Sequence, residues 1–176
     1  MTMARLALFA LVGLVLAGCG SSAKDQQAAS YCPQPLTVQD AQSLTRFKDG
    51  AGRDPRDVMF EASLVNAGTK CQLGRNKLEV DVVLRIAVNA GPSVGAGVTR
   101  VPFFVRVLDA NGRIVQGSDQ LADYKLSTAS PRGLSQEEMA VTLPFSNVSD
   151  LGGYRIAVGL KPSQQELDYN RRSGAR

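Results

Sequence analysis

The chain has 176 residues, 44% hydrophobic and 20% charged, which is the composition of one ordinary folded domain rather than a disordered segment. The formal net charge is +4, but from Lys48 to Arg85 single Lys and Arg residues alternate with Asp and Glu, where a nucleic-acid binder concentrates its basic residues on one stripe; nucleic acid is not an expected partner. There is no histidine, which excludes the usual base of Ser-His-Asp and Cys-His systems and histidine-ligated zinc, and no metal or organic cofactor is expected.

Residues 1–18 have the layout of an export signal. Arg5 supplies the positive start, and Leu6 to Leu16 is an apolar run of the usual length. A membrane-spanning helix needs about 20 apolar residues, so this run is too short to be one. Leu16-Ala17-Gly18-Cys19 resembles the lipobox of bacterial lipoprotein signal peptides. The resemblance implies a diacylglycerol on the Cys19 sulfur, cleavage before Cys19, and frequent acylation of the new amino group. One acyl chain holds weakly at about 0.8 kcal/mol per buried methylene, whereas two or three hold durably. Gly20 and Ser21 follow in place of aspartate, which resembles the outer-membrane class of enterobacterial sorting. The expected address is therefore the cell envelope, lipid-anchored at the outer membrane and facing the periplasm.

Lipidation of Cys19 explains the odd number of cysteines and leaves Cys32 and Cys71. In an oxidising compartment these two are expected to form a disulfide. The bridge would close a loop of about 40 residues and contribute about 4 kcal/mol in the chain-entropy picture. Two free thiols, or pairing with another chain, are the alternatives. Residues 19–30 are small and polar and read as a flexible tether, followed by a domain over 31–162.

From Leu36 onward the pattern is β. Leu78, Val80, Val82, Leu84, Ile86 and Val88 recur with period two, which puts six aliphatic side chains on one face of a strand. The same alternation marks Val58–Val65, Val101–Val107, Met139–Phe145 and Tyr154–Lys161. Weaker strand candidates lie at Leu36–Val38, Ser43–Phe47, Ile114–Val115 and Tyr124–Leu126. Asp109-Ala110-Asn111-Gly112 predicts a hairpin, with positive φ tolerated at both Asn111 and Gly112. Gly91–Gly97 is a glycine-rich loop, read as a hairpin connection rather than a phosphate cradle, because no Lys-Ser or Lys-Thr follows it. Ser163-Gln164-Gln165-Glu166 matches a capping box and predicts a short helix to about Arg172 within a 163–176 tail. About seven to nine short strands predict an all-β, immunoglobulin-like antiparallel sandwich.

Arg46 to Val58 is the least core-like segment, and Arg46, Lys48, Arg53, Asp54, Arg56 and Asp57 form a candidate recognition loop for a protein or an anionic glycan. The competing reading is a solvated loop whose Arg and Asp neighbours pair locally. Glu137-Glu138 reads as a charged strand start, since adjacent strand residues face opposite sides and cannot clamp one bond. The run Arg46-Phe47, Gly50, Gly52-Arg53-Asp54, Asp57-Val58 and Phe60-Glu61-Ala62, with Cys71 and the strand from Val80, is similar to a group of small alphaproteobacterial lipoproteins of unassigned activity. That resemblance implies an immunoglobulin-like sandwich; it brings no activity with it and leaves the function open. The expected function is a membrane-anchored, non-enzymatic binding or assembly module with an envelope protein or glycan as partner. A carboxylate-based glycan-acting enzyme and a purely structural envelope protein are the alternatives.

Overall fold

The computed structural model describes residues 23–50 and 53–174. The signal segment, Cys19 and residues 51–52 and 175–176 lie outside the described residues. Among the described residues there are eight strands: β1 (Pro35–Thr37), β2 (Ser43–Phe47), β3 (Val58–Leu73), β4 (Lys77–Ala90), β5 (Thr99–Leu108), β6 (Ile114–Tyr124), β7 (Arg132–Pro144) and β8 (Arg155–Leu160). Two helices flank them, α1 (Ala23–Tyr31) and α2 (Gln164–Gly174). The strands form two four-stranded sheets, ordered β1-β8-β5-β6 and β2-β3-β4-β7. The all-β sandwich expected from the sequence is the architecture found. Its pairings are antiparallel except that β1 runs parallel to β8, with Pro35 beside Ile156 and Thr37 beside Val158.

The core follows from the period-two pattern. The six alternating aliphatic residues of β4, Leu78 to Val88, are at most 1% exposed, and Val101, Phe103, Val105 and Val107 of β5 face them from the other sheet at 2% or less. Ile156, Val158 and Leu160 of β8 complete the inner layer. Each such fully buried side chain contributes about 1.5–3 kcal/mol relative to exposure, so β4 and β5 dominate the core.

Four features differ from their sequence reading. β3 continues to Leu73 because a bulge at Val65, itself 60% exposed, resets the alternation that otherwise breaks at Asn66. The 91–97 segment is not a hairpin: it carries the chain from β4 in one sheet to β5 in the other. In the β5–β6 turn only Gly112 has positive φ, 78°, and Asn111 does not. There the Asp109 carboxylate accepts the N–H groups of Asn111 and Arg113, each at 2.9 Å, and a register shift at Val107/Leu108 absorbs the extra residue. Glu137 and Glu138 are in the middle of β7, which starts at Arg132, rather than at a strand start.

The stretch read as a flexible tether is corrected from residue 23 onward. Ala23–Tyr31 is helical and packs on β3, with Ala28 1% exposed. Ala, Gln and Lys are good helix formers, and the helix is fastened at its end. Cys32 and Cys71 form a disulfide, Cα atoms 5.7 Å apart, and the Thr69 hydroxyl donates to the Pro33 carbonyl at 2.9 Å. At the other end of the chain the predicted capping box is present: the Ser163 N–H donates to Glu166 Oε2 at 2.7 Å, and the Glu166 N–H donates to Ser163 Oγ at 3.4 Å.

Candidate functional site at the loop end of the sandwich

The strand end of β2 positions the site. A register shift between Arg46 and Phe47 re-aims these two residues, leaving Phe47 buried and the Arg46 guanidinium over the Phe60 ring at 5.8 Å. Arg46 Nε lies 2.5 Å from Oε1 of Glu166, which is 4% exposed. A buried carboxylate requires such partners, and Glu166 has them on both oxygens, one from Arg46 and one from the helix cap. One residue thus starts α2 and locks it to β2. The sequence shows this Glu only as a helix cap; its link to Arg46 spans 120 positions and has no local signal.

Phe47 is bracketed by aromatic and cationic neighbours. Tyr169 of α2 meets it edge-on with centroids 4.9 Å apart, and the Arg53 guanidinium is 4.9 Å from its centroid. Arg53 also donates to Gln165 Oε1 at the start of α2. Lys48 is exposed, and its backbone N–H donates to the Asp57 carbonyl at 3.0 Å. Arg46, Lys48, Asp49, Arg53, Gln165 and Glu166 surround an open cleft of about 610 Å³.

A second cleft of about 270 Å³ adjoins it and shares Arg46, Phe47 and Asp49. Its far wall is the glycine-rich segment with Val94 to Arg100, and Met59 and Phe60 form its floor. The two loops singled out in the sequence therefore meet. Their junction is tight: the Ser93 hydroxyl donates to the Arg56 carbonyl at 2.8 Å, the Ser93 N–H to Val58 at 2.9 Å, and the Gly91 N–H to Met59 at 2.8 Å. A Cβ on Gly91 would sit 2.2 Å from the Val58 carbonyl oxygen, so only glycine fits there.

Three of the predicted recognition residues, Arg46, Lys48 and Arg53, line the first cleft, and Asp54, Arg56 and Asp57 do not. Asp54 caps the 3₁₀ turn Pro55–Asp57 by accepting the Arg56 N–H at 2.9 Å, and it receives the Arg56 guanidinium at 3.0 Å. The Arg56 side chain, and secondly its N–H, hold the Asp54 carboxyl below the usual carboxylate range, while Asp54 raises Arg56 in turn. This half of the loop pairs locally; the other half faces the cleft.

Among the described residues no group of three or more His, Cys, Asp or Glu is arranged to hold a metal ion, and no helix is long and apolar enough to cross a membrane. Comparison of the chain with protein-family models, with curated proteins and with solved structures finds no match in any of the three.

Proposed function

We propose that the chain is an envelope lipoprotein, anchored through lipid on Cys19 at the outer membrane and facing the periplasm, whose sandwich binds a partner by its loop end rather than transforming it. The Leu16–Cys19 lipobox and the resemblance to small alphaproteobacterial lipoproteins support the address. The observation that carries the binding reading is the convergence of Arg46, Lys48 and Arg53 on one cleft from segments joined to α2 and to the 91–97 loop. Loops held by a rigid sheet scaffold are common recognition surfaces. The cations lining this cleft favour a partner that presents an anionic group, on an envelope protein or a glycan.

The test is a photo-crosslinking residue placed at Lys48 in cells, with Arg75 in the β3–β4 turn as the control position. A specific adduct at 48, absent at 75 and lost when Arg53→Glu is added, is the expected result. The same adducts at both positions, or none at 48, would contradict the reading.

A further inference from the structure

The two sides of the sandwich are finished differently. On one side the edge strands are β1, three residues long and starting with Pro35, and β2, which α2 covers. Asn170 Nδ2 of α2 donates to the Ser43 carbonyl at 2.8 Å, and Arg171 binds Asp40 at 2.9 Å. Short length, proline and a covering helix are ordinary protections of a sheet edge.

On the other side the edges are β6, 11 residues, and β7, 13 residues, and no described element covers either. β6 has no Lys, Arg or Pro, and β7 has Pro only at its last position. The inner face is also polar here, where a closed sandwich would be apolar. Ser118 and Gln120 of β6, and Glu137 of β7, line an open cleft of about 410 Å³ between the edges, with Phe103, Leu121 and Met139 as its apolar part. Below Glu137 the same inner row of β7 becomes core, with Val141 and Leu143 buried.

The charges on the two edges are not equivalent. Asp119 of β6 is paired with Lys161 and Arg106, and Asp123 with Arg100 at 3.6 Å. On β7, Glu137 has no hydrogen bond or ion pair among the described residues, and Glu138 accepts only from the Gln136 amide at 2.9 Å. Glu137 is on the inner face of the strand and Glu138 on its outer face, and both border the cleft, so both sides of the strand are acidic at its middle.

We propose that the β7 edge receives an extended basic segment of a partner protein, added as a strand beside β7. Its backbone would pair with the free edge of β7, a Lys or Arg across from Glu137 would reach into the cleft, and a second would face Glu138. The residue two positions on, across from Met139, would be apolar. A second copy of this chain fits poorly: two β7 strands meeting antiparallel about their midpoints would set Glu138 against Glu138, and like charges directly opposite are destabilising. The surface is separate from the loop cleft, so either can fail without the other.

Random peptides displayed on phage and selected on the detergent-solubilised full chain test this. The proposal expects selected sequences with Lys or Arg at the centre of an alternating, proline-free pattern. A synthetic version would shift the amide resonances of Gly133–Val141. Glu137→Gln, which removes no existing bond, would weaken it about ten-fold, while Lys48→Glu would leave it unchanged. No selected peptide, selection of neutral or acidic sequences, shifts confined to the loop cleft, or a chain dimer occupying β7 would each overturn it.

Discussion

Gly91 shows how closely the loop end is fitted. Its N–H and that of Ser93 bind consecutive carbonyls of β3, which brings its Cα against Val58 with no room for a side chain. Gly91→Ala is therefore expected to cost about 1–3 kcal/mol, as overpacking does, read as a lower urea midpoint with an unchanged slope. Three aspartates give a second residue-scale expectation. The Lys161 and then the Arg106 side chain hold Asp119 below the usual carboxylate range, the Arg113 N–H does most for Asp109, and Arg56 does so for Asp54. A depressed carboxylate contributes stability that is complete above its unfolded value near ~4 and is lost as pH falls through the folded value. Carboxyl-carbon NMR should give all three midpoints below the ordinary one, and Arg113→Ala, which removes the guanidinium but keeps the N–H, should move Asp109 only part of the way upward. Tyr124 responds in the opposite range: burial, with a smaller push from Glu137, raises its phenol, so its contribution is lost only as alkaline pH passes the folded value.

At the scale of elements, the Cys32–Cys71 bridge links the end of α1 to the outer half of β3. Replacing both cysteines with serine should remove up to about 4 kcal/mol, seen in chemical denaturation, and should raise amide exchange selectively in Ala23–Tyr31. The selectivity follows from where the bridge sits, at the residue that closes α1 onto β3, next to the Thr69–Pro33 hydrogen bond. α1 is illegible in sequence because Ala23–Tyr31 has no apolar stripe to announce it. β4 and β5 were legible because burial on one face writes a strict alternation into the sequence. β6 is legible only at its ends, because Gln116, Ser118 and Gln120 occupy inner positions that stay wet. The pattern of β3 breaks at Val65, where the bulge inverts the alternation. Of the loop cleft, the cationic residues were visible as a non-core run, while Glu166 and the wall from Val94 to Arg100 join it only through long-range contacts that leave no local pattern.

The whole molecule is a sandwich with one protected side, one open side, and a loop end where β2, the 91–97 segment and α2 converge. On the proposed reading, a short exported domain is tied by lipid to a bilayer and works by contact with neighbours in the envelope. Everything proposed about its partners depends on that address. The most direct measurement is the intact mass of the mature protein extracted from membranes. The account predicts a polypeptide that begins at Cys19, carries two or more acyl chains, and is two hydrogens lighter than the reduced chain because Cys32 and Cys71 are joined. A soluble product that retains residues 1–18, or one cleaved elsewhere without added lipid, would contradict it.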